Sequence, residues 1–314
     1  MSSYKDSILS SIASKQNSII DTHVHVGVSL SQYVKGEIFC QSVGDLKVKM
    51  DSFGVDYSII FPFPELDGNS VHHVSYNAGN GLFESESFPY QLANGYMLSE
   101  VIHNDYHQFL PFMMISPSKE LDKQLAYFEK YRDYIFGIKI HTTANHISPR
   151  ELPQKIVDLC IDYHLPIIFH TRACEDEYNC WAVLDFAKHH PNINVCVAHC
   201  AGFDKDFFSS VQATGNVFFD VSPLLSLCKW ADSGNEKVIS RNRIKVDYSN
   251  CHEVLLSLFN LAPDRLLWGT DEPCGANISS KYSLQVAMIK NLDISVQTQI
   301  HNNAYRFLTH FWNA

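Results

Sequence analysis

This 314-residue chain is missing most of the features that announce a protein's class on sight. Its nine cysteines are odd in number and spread from Cys40 to Cys274 without a C-x-x-C pair. Neither a disulfide framework nor a zinc ribbon is indicated, and a reducing cytoplasm is the expected compartment. No run approaches the roughly 18 uninterrupted apolar residues of a membrane span. The first residues, Met1 to Asp6, carry no apolar signal core, so neither membrane insertion nor secretion is expected. Positive charge is scarce: 24 Lys and Arg stand against 34 Asp and Glu, with a formal net charge of −10 and no basic cluster. That balance disfavours a nucleic-acid partner, because phosphate neutralisation needs a basic surface. Neither G-x-G-x-x-G nor a P-loop occurs, so a phosphate cradle is unsupported.

Hydrophobicity is present in quantity. With 46% apolar and 18% charged residues, the chain can bury a large core and is too apolar for disorder. The apolar residues gather in short runs, and the run Ser18-Ile19-Ile20-Asp21-Thr22-His23-Val24-His25-Val26-Gly27 carries two histidines two residues apart. Strand side chains alternate sides, so Asp21, His23 and His25 are expected on one face, where both imidazoles can reach one ion. Standing alone, such a pair is as readily a hydrogen-bonded core pair as a ligand pair. The pattern recurs, however. Gly137-Ile138-Lys139-Ile140-His141, Pro166-Ile167-Ile168-Phe169-His170, Val195-Cys196-Val197-Ala198-His199 and Leu266-Leu267-Trp268-Gly269-Thr270-Asp271 all end in a metal-competent or titratable residue. Chance scatter would not keep choosing run ends.

Between the runs lie segments of helical periodicity. Strands are expected near residues 20–26, 57–63, 109–116, 135–141, 165–171, 193–200, 217–222 and 265–270, with helices between them and two more at the C-terminal end. Ser118 is expected to cap the helix over residues 118–134, and Ser148-Pro149 to open another. Residues 65–88, with His72, His73 and Tyr76, and residues 223–249 read as long polar loops after strands 2 and 7. Eight apolar strands alternating with helices imply a parallel sheet covered on both faces. The expected fold is α/β, a (β/α)8 TIM barrel forming a single domain over residues 1–314. In it, residues 1–17 are an N-terminal extension and 281–314 C-terminal helices. A doubly wound open sheet is the second choice.

In such a barrel catalytic groups come from the C-terminal strand ends, where His23, His25, His141, His170, His199 and Asp271 all fall. Imidazoles and a carboxylate converging on one point suit a catalytic divalent ion, zinc before manganese or iron, with a position left open. Such an ion lowers the pKa of its bound water to about 7. Here the chain resembles the metal-dependent amidohydrolase superfamily, in the branch that includes aminocarboxymuconate semialdehyde decarboxylase and related hydrolases. The resemblance runs through the segments quoted above, Ala198-His199-Cys200-Ala201-Gly202, Trp268-Gly269-Thr270-Asp271-Glu272-Pro273 and Asn303-Ala304-Tyr305-Arg306-Phe307, nearly the whole chain. It implies that His23, His25, His170 and Asp271 bind one ion per chain, that His199 hydrogen-bonds the bound water or the substrate, and that Asp271 also takes the proton from water.

Three further residues have two readings each. His141 either lines the pocket or satisfies a loop carbonyl. Arg172 either anchors a substrate carboxylate at the mouth or pairs with Glu175 or Asp176 at the surface. Lys139 either bridges a second metal after carboxylation, as in two-metal members of the superfamily, or forms a buried ion pair with Asp21. The expected function is hydrolysis of an amide, ester or lactone bond in a small-molecule substrate by metal-activated water. Non-oxidative decarboxylation of an aromatic or enoic acid is the enzymatic alternative, and a non-catalytic metal- or ligand-binding barrel the other. A homodimer is left open.

Overall fold

The computed structural model describes residues 4–29, 39–64, 74–77, 82–85, 87–274 and 281–309. One sheet gathers nine strands: β1 (Ile20–Val28), β2 (Cys40–Gln41), β3 (Tyr57–Pro62), β6 (Phe109–Met114), β7 (Gly137–Ile140), β8 (Ile167–Phe169), β9 (Val195–Val197), β10 (Val217–Asp220) and β11 (Leu266–Leu267). Its order is β11-β10-β9-β8-β7-β6-β3-β1-β2, parallel throughout except for the short antiparallel β2. The strands are the continuous apolar runs of the sequence, and alternation at period two sorts each into two cores. Ile59, Phe61, Phe112, Ile168, Phe218 and Leu267 join one cluster, closed at one end by Ile8 and Ile12 of the helix Tyr4–Ser14 and by Phe307 of the helix Ile294–Thr309. Ile60, Met113, Ile138, Phe169, Val197 and Phe219 pack outward against the surrounding helices.

The sheet curls, bringing β1 near the chain that leaves β11. Thr22 N donates to the Trp268 carbonyl at 2.9 Å, His25 N to that of Glu272 at 2.8 Å, and Asp271 N to that of His23 at 2.8 Å. These bonds carry β1 against the chain leaving β11. Gly269 is what lets the backbones approach, since a Cβ there would stand 2.8 Å from the His23 Cβ.

Several expectations need correction. A β-bulge interrupts the β1–β3 register between Asp21 and Val24. Ile20 therefore joins the interior cluster while Val24 and Val26 face the helices, and Asp21 leaves the face of His23 and His25. Its carboxylate instead accepts Thr270 Oγ1 at 2.7 Å and the Thr270 and His23 amides. The segment 65–88 is more than loop, for β4 (Val74–Asn77) and β5 (Leu82–Ser85) form an antiparallel hairpin; His72 and His73 lie outside the described residues. The helix Leu224–Asp232 occupies part of the polar stretch 223–249. Ser118 caps nothing, because the helix there starts at Leu121 after a left-handed Glu120, and Ser148 caps only the single turn Pro149–Glu151.

Candidate metal centre

The interior positions at the C-terminal strand ends switch from apolar to polar, and there the sheet brings six of the expected residues together. His23 and His25 come from β1. His25 lies beyond the bulge and His23 at its end, and with one residue between them both face the centre. One nitrogen of each and one Asp271 oxygen all lie within 4.8 Å of one another, and all three residues are buried. Asp271 Oδ1 is 3.4 Å from His23 Nε2 and 3.3 Å from His25 Nε2. Asp271 itself has a left-handed φ of 56°, backbone strain of the kind found at functional sites.

The ring protons of the histidines follow from their partners. His23 Nδ1 faces the Asp220 carboxylate at 2.8 Å and His25 Nδ1 the Pro62 carbonyl at 2.9 Å; both acceptors require an N–H, which makes each Nε2 the acceptor atom of its ring. His199 Nδ1 donates to the Ser222 carbonyl at 2.8 Å, so its Nε2 accepts, and the donor is His170 Nδ1 at 2.8 Å. Nε2 is then the acceptor atom of the His170 ring as well. His23, His25 and His170 thus present Nε2 acceptors held by bonds at the opposite nitrogen, the arrangement that orients metal-binding imidazoles. His170 stands outside the tight group of three and joins the centre through its bond to His199 and a face-to-face stack on His141 at 3.8 Å.

Charge follows burial. Desolvation, then the Lys139 ammonium, lowers His23 to about 3, so the imidazole is neutral and able to ligate. Burial likewise holds His141 and His170 well below the usual histidine value. Burial pushes Asp271 up, but the imidazoles of His25, His23 and His199 around it outweigh that and hold the carboxyl at about 2. Lys139 is fully buried and lowered to about 8 by desolvation, with Nζ 3.4 Å from His23 Nε2 and 4.4 Å from the Phe61 ring centroid. The pairing with Asp21 is not formed, since the bulge turns that carboxylate away.

His199 sits in unusual backbone. Residues 199–203 all have left-handed φ, between 51° and 64°. Among L-residues such a run costs roughly 1–2 kcal/mol at each position. It is secured by the His199 amide donating to Asp220 Oδ1 at 3.1 Å and the Ser240 amide to the Gly202 carbonyl at 2.8 Å. Both ring nitrogens of His199 are engaged, so here it braces His170. Arg172 Nη1 donates to Glu175 Oε1 at 2.8 Å, with both side chains substantially exposed. Sequence reasoning missed Asp220, the buried partner of His23, although the signal was the same one: it is the last residue of the run Val217–Asp220.

A family model described as amidohydrolase matches residues 20–308. The chain belongs to the amidohydrolase family. No curated protein shows significant sequence similarity to it. Among solved structures, this amidohydrolase is similar to an uncharacterised TIM-barrel protein from Bordetella bronchiseptica, at 13% identity and a TM-score of 0.58, covering 93% of this chain and 98% of that one. Dihydroorotase from Campylobacter jejuni matches at 15% identity and a TM-score of 0.52, over 94% and 83%. Adenine deaminase from Arthrobacter aurescens matches at 13% and 0.53, over 92% and 93%. At these identities the likeness shows the fold. Among the described residues, no helix is long and apolar enough to cross a membrane.

Proposed function

We propose that this amidohydrolase uses a divalent ion, zinc in our reading, to hydrolyse an amide, ester or lactone bond of a small molecule. The observation that carries the reading is the sorted donor set: His23, His25 and His170, each held at Nδ1 so that Nε2 is the acceptor, beside an ionised Asp271. Those groups fit such an ion. His23, His25, His170 and Asp271 would hold it, and when bound it would lower the pKa of a coordinated water to about 7. Asp271 turns Oδ1 toward both β1 histidines, which leaves Oδ2 to take the proton of the attacking water and deliver it to the leaving atom. His199 keeps His170 in its tautomer; direct contact with water or substrate would require it to exchange that bond. Arg172 would anchor a substrate carboxylate by giving up Glu175, a small loss because exposed pairs contribute about 0–1 kcal/mol. Lys139 would bridge a second ion only as a carbamate, which turns its charge from positive to negative; intact-mass measurement reads that change directly.

The sheet serves this chemistry as a closed (β/α)8 barrel, supported by the three backbone bonds between β1 and residues 268–272. The nine cysteines are all free, which supports a cytoplasmic setting. Product analysis in oxygen-18 water tests the reaction: label in the product is expected. Carbon dioxide released from an aromatic or enoic acid without label would replace hydrolysis by decarboxylation.

A further inference from the structure

His141 belongs to the same cluster yet has the opposite tautomer. It is the N-cap of the short helix Thr142–Asn145, and its Nδ1 accepts the Ala144 amide at 3.1 Å. A backbone N–H can only donate, so Nδ1 is a bare lone pair and the proton of the neutral ring sits on Nε2. Among the described residues that Nε2 has no hydrogen-bond partner. The ring cannot turn freely, because it stacks on His170 at 3.8 Å and 13° while the cap holds its far edge.

We propose that His141 serves the substrate and not the ion, its Nε2–H donating a hydrogen bond to the oxygen of the group under attack. A protonated Nε2 has no lone pair for a metal, whereas it is a good partner for a carbonyl oxygen or the oxyanion that grows from it. The centre thereby divides its imidazoles: His23, His25 and His170 offer acceptors to a cation, and His141 offers a donor to developing negative charge. Its neutral state matters to that division, since a second fixed cation beside the ion would repel it. The substrate part rests on the hydrolytic reading above; the tautomer does not.

Nitrogen-15 NMR of the full-length protein, with each histidine assigned by single replacement, separates the two. His141 is expected as the Nε2–H tautomer, and His23, His25, His170 and His199 as Nδ1–H; an Nδ1–H His141 would overturn the proposal whatever the enzyme does. The informative variant is His141→Asn. Asparagine is a strong N-cap and keeps the Ala144 bond, while its side chain is too short to replace the Nε2–H. Zinc affinity is expected to stay within about twofold, and affinity of the zinc-loaded protein for methylphosphonate, a tetrahedral oxyanion, to fall about tenfold or more. Lost zinc, or methylphosphonate binding as tight as in the parent, would refute the role. Should the parent bind no zinc, the proposed function falls, and the NMR result still decides the tautomer.

Discussion

Replacing Asp220 with asparagine should weaken zinc binding without removing the fold. The carboxylate spends its two oxygens unequally. Oδ1 accepts the His199 amide at 3.1 Å, the Ser222 amide at 3.0 Å and the Ser222 hydroxyl at 2.7 Å, while Oδ2 takes the His23 Nδ1–H at 2.8 Å. Three donors converge on Oδ1, so the asparagine oxygen must stay there and its amino group must face His23. Two donors then confront each other in a fully buried place, at a cost of about 1–3 kcal/mol. His23 can escape by moving its proton to Nε2, which withdraws the lone pair the ion needs. Either route should weaken zinc binding by about 10–100-fold, equivalent to about 1.4–2.7 kcal/mol at 1.36 kcal/mol per decade. Competition titration against a fluorescent chelator measures the affinity, and circular dichroism checks the fold. Asp220→Asn protein that is folded and binds zinc as tightly as the parent would refute the tautomer argument.

Zinc at about 100 times its Kd should stabilise the parent by about 2.7 kcal/mol, a shift in Tm that is absent in a His23→Ala, His25→Ala double variant; an equal shift in that variant would remove the ligand assignment. Gly137→Ala places a Cβ 2.3 Å from the Phe112 ring and should destabilise by about 1–3 kcal/mol with zinc affinity unchanged. Gly269→Ala, with its Cβ 2.8 Å from that of His23, should lower both stability and affinity, and a variant with parental affinity would show that β1 tolerates displacement. Arg172→Met should raise KM for acidic substrates while sparing kcat, whereas unchanged KM leaves Arg172 as a surface partner of Glu175. Burial holds His301 below the usual histidine value even though its Nδ1 donates to the Ser18 carbonyl. As pH falls below about 6.5 the unfolded chain therefore takes up that proton first and stability drops; in His301→Gln the fall in Tm should be shallower.

Most strands and their polar ends are legible because six of the apolar runs, those around β1, β7, β8, β9, β10 and β11, carry or finish in a histidine or aspartate that has no business in a core. His23, His25 and Asp271 were found that way, and the structure places them together. Asp220 carries the same mark at the end of Val217–Asp220. What no spacing rule contains is the bulge at Asp21: a one-residue slip of register depends on how β1 meets β3, and it separates an aspartate from the histidines two and four residues on. Tautomers were equally hidden. They depend on carbonyls and amides such as those of Pro62, Ser222 and Ala144, which every residue owns and no sequence distinguishes.

A left-handed turn cannot be the seed of a fold. Each of His199, Cys200, Ala201 and Phe203 prefers the opposite hand, so the segment has no reason to dwell in this shape until something outside it supplies the difference. The atoms that do so are Asp220 Oδ1, 21 residues further along the chain at the end of the next strand, and the Ser240 amide, further on still. His199 therefore depends on β10 being docked, and through His199 the brace on His170 depends on it too. A partly folded chain would hold the two β1 histidines but not the finished centre, and cations that scavenge half-made sites would meet a weak two-nitrogen grip in place of a trap.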